Sequence, residues 1–253
     1  MWPFSRRLYH SGLTPASTAT SSRRSFSDRF VAALGKPRDP REPIDLGTLD
    51  GERYANIAAS VQRVLESMTG TAAFVRNGRL DILASNALGR ALYSPVLDQP
   101  AHRGNIARFD FLDPRAADYY PDHDGALATA VALLRTEAGR SPHDKELTDL
   151  VGELATRSEA FRTRWGTHDV RLHRGGIKTF NHPAVGFMEL AYDSMSLLAA
   201  PGLVLTAYTA EPATPSADNL ALLASWAATE AATSGSADEA HAKPGAAGSA
   251  SAD

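Results

Sequence analysis

The sequence predicts an α/β (α+β) domain in which one antiparallel sheet is split by a helical insert packed on one of its faces. Three observations lead there. The stretch from Phe74 to Pro95 reads as strand, tight turn, strand and helix. Between Gly125 and Trp165 the apolar residues recur at spacings of three and four. After Gly166 the period switches to two. Strands, then helices, then strands again lack the regular alternation of a parallel sheet, and suggest a single antiparallel sheet covered by helices.

The N-terminal segment, residues 1–53, clusters Ser, Thr, Arg and Pro. Only Phe30–Leu34 looks able to form a helical turn, and the prolines from Pro37 to Pro43 cannot continue one. This is read as a basic, mostly disordered arm. From Tyr54 the pattern changes. Ile57, Val61, Val64, Leu65 and Met68 recur at helical spacing, and Gly70 ends that helix. Ala72–Val75 and Leu80–Ala84 flank Asn77-Gly78, a strong signal for a type I′ hairpin because both residues accept positive φ. Asn86 is placed to cap a short helix bearing Leu88, Leu92 and Tyr93, with Pro95 helping to stop it.

Asp113 with Pro114 reads as the start of another short helix. A long helix follows from about Gly125 to Ala138, with Leu127, Val131 and Leu134 as its stripe. Ser141–Asp144 is a second start signal, and Leu147, Leu150, Val151 and Leu154 give the next apolar face. Ser158 opens a helix in which Phe161 and Trp165 stack at i, i+4. Asp169–Arg174 alternates as a strand, Gly175-Gly176 reads as a second hairpin turn, and Ile177–His182, Phe187–Tyr192 and Leu203–Tyr208 complete the strands. Ser216 or Asp218 caps a last helix bearing Leu220, Leu223 and Trp226. The domain thus spans 54–229, and the Ala/Gly/Ser-rich tail, 230–253, reads as disordered. Such a sheet and insert make a PAS-like arrangement, in which the space between sheet and helices holds a small ligand.

Composition narrows the function. With no cysteine there are no disulfides and no thiolate metal sites, which fits a cytoplasmic protein. The net charge of −3 argues against a chain that binds nucleic acid along its whole surface, although residues 1–45 carry eight Arg/Lys against four Asp/Glu. Contact of that arm with nucleic acid would be non-specific and salt-sensitive. No apolar run approaches the ~20 residues of a membrane span, since Leu197–Tyr208 is broken by Pro201-Gly202. No metal site is expected. His168 and His173 point to opposite strand faces, and His182 precedes a proline. No catalytic motif stands out: Gly-x-Ser-x-Gly, a P-loop and Gly-x-Gly-x-x-Gly are all absent, and Asp81, Asp110 and Asp113 sit where solvated or capping roles suffice. The expectation is a protein that is not an enzyme.

Several stretches carry a resemblance. They are Val61–Leu65, Phe74–Asn86, Asn105–Phe109, Phe111–Arg115, Ala132–Arg135, Leu150–Leu154, Ser158–Trp165, His168–Val170, His182-Pro183, Tyr208–Pro212 and Leu222–Trp226. In this order, over about Ala59 to Ala228, they resemble the ligand-binding domain of MmyB-like transcription regulators. The resemblance implies a PAS-like domain that binds a fatty-acid-like amphiphile. In relatives it follows an Xre-type helix-turn-helix that binds DNA, usually as a dimer. Residues 1–53 do not fit a helix-turn-helix, which needs two or three compact amphipathic helices, so that half is expected to be missing. Two further departures are Ala117 and His123, where relatives would carry arginine and tryptophan near the pocket mouth.

The candidate ligand-binding residues are Asn86, Arg90, Asn105, Arg108 and Trp165. Arg90 or Arg108 suits a carboxylate head group by two-point hydrogen bonding, and a solvated arginine is the plain alternative. Asn86 is either a cap or an amide facing the cavity. Phe74, Ile82, Phe109, Phe111, Trp165, Phe187 and Tyr208 serve equally as core or as the lining of a lipid cavity. The functional expectation is the ligand-sensing domain of a transcriptional regulator that controls DNA binding in relatives, with a homodimer and a bound fatty acid, and no other cofactor. The alternative is a stand-alone interaction or dimerisation module without its own DNA-binding domain.

Overall fold

The computed structural model describes residues 49–167 and 175–241. The expected strand Asp169–Arg174, with His168 and His173, lies outside them. So do most of the N-terminal arm and the end of the tail.

Helix α1 (Leu49–Ser67) begins a few residues before Tyr54. It leads into β1 (Ala72–Arg76) and β2 (Ile82–Ser85). The helical insert is α2 (Ala87–Leu92), α3 (Ser94–Leu97), a 3-10 turn at Pro100–His102, α4 (Ile106–Leu112), α5 (Ala116–Tyr119), α6 (His123–Arg140), α7 (Lys145–Arg157) and α8 (Glu159–Gly166). The chain returns to β3 (Gly175–His182), β4 (Gly186–Ser196) and β5 (Val204–Thr209), and closes with α9 (Pro215–His241). The five strands form one antiparallel sheet in the order β2-β1-β5-β4-β3. The α/β class and the split sheet are those the residue pattern predicts.

Strand β1 is buried along its whole length, because both of its faces are covered. Ala72 and Phe74 point into the main core, with Tyr208, Phe180, Met188 and Leu190 from the other strands and the apolar stripes of α2 to α9. Ala73 and Val75 point the other way, against Ala58 and Leu65 of α1 and Leu203 and Leu205 near β5. The insert therefore packs on one face, as expected, and α1 covers the opposite face. Phe187, read as apolar lining, is instead 53% exposed, because it stands on the outward side of β4 opposite Asn181.

The first hairpin forms where Asn77-Gly78 predicts it, with a different turn. Leu80, not Asn77 or Gly78, takes the left-handed conformation, at φ 69°. Leu80 N–H donates to Asn77 O at 3.2 Å, and Asn77 pairs with Asp81 across a three-residue loop. The reason lies in the Asn77 side chain. Its Oδ1 accepts from Asp81 N at 3.0 Å and its Nδ2 donates to Asp81 Oδ2 at 2.8 Å, which fixes Asn77 as the first turn position. The second hairpin corrects the sequence reading. Gly175 and Gly176 are strand residues opposite Asp193 and Tyr192. The turn comes after His182, and Gly186 closes it at φ +80°, where a side chain would be strained.

Most helix starts follow local cap chemistry. Asp122, Asp144 and Ser158 each accept a hydrogen bond from the backbone N–H three residues on. Two starts differ from expectation. Asp113 ends α4, and its Oδ1 accepts from Arg115 N at 2.9 Å while α5 starts at Ala116. Thr214 Oγ1 accepts from Ala217 N at the start of α9, whereas Ser216 Oγ accepts from Glu189 N of β4. Helix α9 runs on to His241, past the point where the tail was read to begin. Pro95 opens α3 instead of ending a helical segment.

Candidate functional site

Between the sheet and the insert lies a layer of aromatic rings. Tyr93 from α2 meets Phe74 edge-on at 4.8 Å, and Phe180 and Tyr208 at 6.1 and 6.0 Å. Tyr119 and Tyr120 from the end of α5 pack on Phe109 and on Phe180. Edge-to-face geometry dominates, as the ring quadrupoles favour. Three hydroxyls in this layer are satisfied. Those of Tyr93 and Tyr208 bond each other at 2.7 Å, and Tyr119 donates to Leu92 O. The Tyr120 hydroxyl is fully buried without a hydrogen-bond partner among the described residues.

Two charged residues enter this layer. Strand alternation puts Lys178, Phe180 and His182 on the inner face of β3. The Lys178 ammonium lies over the Tyr120 ring at 4.1 Å, with Phe180 at 5.4 Å and Tyr93 at 6.0 Å. Burial draws it down to about 8, with Asp110 and Asp122 pulling the other way. Asp110 sits on α4 between Phe109 and Phe111 and is 4% exposed. Its Oδ1 has no hydrogen-bond partner among the described residues. Burial pushes its carboxyl up to about 7, against the attraction of Lys178.

Asp110 also borders a cleft of about 300 Å³ between α4, α5, α6 and the start of α8. Phe111, Leu127 and Ala160 give the cleft apolar wall, and Asp113 and Ser158 give polar wall. Ala117 and His123, which the sequence reading expects to depart from the family pattern, both line it. Its rim is fixed electrostatically. Asp113 Oδ2 bonds His102 Nε2 at 2.7 Å, and the Arg115 guanidinium, with help from His102, holds the Asp113 carboxyl well below the usual range.

The five residues proposed from sequence are placed as follows. Asn86 caps α2 and uses its whole amide within the fold. Its Oδ1 accepts from Gly89 N and Ala73 N at 2.7 and 3.0 Å, and its Nδ2 donates to Met68 O and Thr71 O. Asn105 caps α4 in the same manner, and its Nδ2 donates to Arg79 O and Asp81 Oδ1. Arg90 is exposed and pairs with Asp98 at 2.9 Å. Arg108 joins α4 to α7 through Glu153, also at 2.9 Å. Trp165 stacks on Phe161 at 5.3 Å, and Arg135 lies over its ring and donates to its carbonyl. None of the five lines the cleft.

Sequence reasoning did not single out Lys178, and it read Asp110 as a solvated or capping carboxylate, whereas Asp110 is buried within α4 and caps nothing. Period two says that Lys178 shares a face with Phe180 and His182, but not that this face is the inner one. Asp110 follows an asparagine cap within a helix, where a surface carboxylate is ordinary.

No curated protein matches the chain. Residues 57–223 match the family described as MmyB-like transcription regulator ligand binding domain, a span of well over half the chain. An antiparallel sheet, a covering helical insert and a cleft among the helices of that insert fit such a domain, and the chain belongs to the MmyB-like transcription regulator ligand-binding domain family.

Proposed function

We propose that this domain senses a fatty-acid-like amphiphile, which enters through the cleft between α4, α5, α6 and α8 and meets the aromatic layer behind it. The supporting observation is the cleft itself, with apolar walls and the buried Asp110 carboxyl on its lining, which the Lys178 ammonium in the aromatic layer attracts. About 300 Å³ is the small end of the range for ligand cavities. It suits a head group and the first part of a chain, so a longer tail requires the rings to rotate apart. Each buried methylene then contributes about 0.8 kcal/mol. The split sheet and covering insert also suit a PAS-like sensor.

The sheet offers a route for the signal. Phe74 and Tyr208 touch the aromatic layer, while Ala73, Val75 and Leu205 on the same strands pack against α1. Ring movement on one face displaces the strands on which α1 rests. In this proposal α1 conveys occupancy to a DNA-reading partner, as in a transcriptional regulator. A ligand shifts that equilibrium only by its difference in affinity for the two states.

Native mass spectrometry with lipid extraction tests the reading. We expect a co-purifying acid, or uptake of added C12–C18 acids after delipidation. A protein that stays empty in both arms refutes it.

A further inference from the structure

We propose that Asp110, Lys178 and Tyr120 form the head-group site, binding the ligand as a carboxylate together with one proton. This rests on the amphiphile reading above and names the residues and the linkage that it leaves open.

All three residues have unspent hydrogen-bonding capacity, and for the buried Asp110 oxygen and Tyr120 hydroxyl that is costly. The Lys178 ammonium makes no hydrogen bond or ion pair with any described residue, and its close neighbours are ring faces. A cation over a ring is favourable, yet it leaves three N–H donors unused. Asp110 Oδ1 has no partner among the described residues, and the Tyr120 hydroxyl has a side-chain interaction with Tyr93 that falls short of hydrogen-bond geometry. Buried polar groups are ordinarily hydrogen-bonded, and two exceptions in one layer, beside a half-buried ammonium that forms no ion pair with a described residue, call for a shared cause. Asp110 is the member that also borders the cleft, so an entering head group meets this cluster first through its carboxyl.

The charge balance sets the form of the ligand. Ionised Asp110 and Lys178 sum to zero. An incoming carboxylate would face Asp110 as a like charge, and two carboxylates at close range retain one proton between them. Asp110 then carries that proton, taken from solvent, and donates its O–H to one ligand oxygen. Lys178 and the Tyr120 hydroxyl donate to the other. The other groups facing the pair are Tyr93, Tyr119 and Tyr208, which stay neutral because burial raises all three, and Asp122, which acts on Lys178. His123 Nε2 faces the backbone carbonyl of Asp110, at 3.3 Å, and not its carboxyl. Asp110 is already poised near neutrality by burial, so proton uptake is easy there.

The test is titration of the delipidated full chain with lauric acid by calorimetry between pH 6 and pH 8. We expect affinity to weaken with pH, toward the limit of about tenfold per unit for one linked proton. Asp110→Asn keeps a donor and removes the Asp110 titration, so its pH dependence should shrink to what the deprotonation of Lys178 leaves toward pH 8. Lys178→Met should weaken binding more than tenfold. Tyr120→Phe, which removes only an unpartnered hydroxyl and leaves the packing intact, should weaken it a few-fold and stands in if Lys178→Met does not fold. Arg90→Ala should bind like the wild type. Wild-type binding that ignores pH, or unchanged affinity in Lys178→Met and Tyr120→Phe, overturns the head-group assignment and leaves the amphiphile reading standing. No binding at any pH overturns both.

Discussion

Replacing Asn86 by alanine separates a structural amide from a ligand-facing one. The side chain is buried and makes four hydrogen bonds, all to backbone. The bond to Gly89 N is the cap of α2, worth about 1 kcal/mol. The other three tie the α1–β1 connection, through Met68 O, Thr71 O and Ala73 N, to the start of α2. Alanine leaves these buried groups unpaired, at about 1 kcal/mol each. The sum is roughly 3–4 kcal/mol. For a domain of this size that lowers Tm by about 6–16 °C. Urea denaturation followed by circular dichroism measures it, with an unchanged m-value as the check on two-state behaviour. Asn86→Asp keeps the acceptor and loses both donors, so it should fall between wild type and alanine. A loss below about 1 kcal/mol in Asn86→Ala would refute the assignment of the whole amide to the fold.

Two further outcomes follow from the geometry. A Cβ built at Gly89 would lie 2.2 Å from Ala73 O and 2.9 Å from Ala73 N, so Gly89→Ala should cost roughly 3 kcal/mol despite the about 1 kcal/mol that alanine gains in a helix. At Gly78 the obstacle is the end of the Glu137 side chain, which can move aside, so Gly78→Ala should change stability by under about 1 kcal/mol; comparable losses at the two sites in thermal melts would contradict this contrast. His182 accepts from Ala184 N through Nδ1 and donates to Ala91 O through Nε2, and burial lowers its pKa in the folded state. Its contribution is therefore complete above the unfolded value of about 6.5 and is lost as pH falls through the folded value. His182→Gln should flatten the decline in Tm between pH 7 and pH 5, and an unaltered slope would count against this account.

What the sequence made legible was chiefly local. The caps at Asn86, Asp144 and Ser158 and the i, i+4 stack of Phe161 and Trp165 depend on neighbours within one turn, and all form. The first hairpin was also visible, but its turn type was decided by side-chain bonds of Asn77 that dipeptide preference does not weigh. Two misreadings have tertiary causes. Gly175-Gly176 has turn composition, yet pairing with β4 draws it into a strand. The placement of α1 on the far side of the sheet was concealed for the same reason, although the unbroken apolar run Ala72–Val75 was a signal that both faces of β1 are covered. The site was least legible. Asn86 and Asn105 were singled out and serve as caps, whereas Lys178 and Asp110 gain their character from burial, which spacing alone does not report.

The Arg79 guanidinium, in the loop of the first hairpin, reaches Asp144 at 3.3 Å and Glu146 at 2.8 Å as well as Asp81 beside it. Together with the bridge from Arg108 to Glu153, this bolts α7 to the hairpin and to α4 at both of its ends. The ion pair between Asp124 and Arg164 ties the start of α6 to α8 on the other side of the cleft. The walls of the cleft are thus laced by charge, and raised salt should loosen the exposed members first.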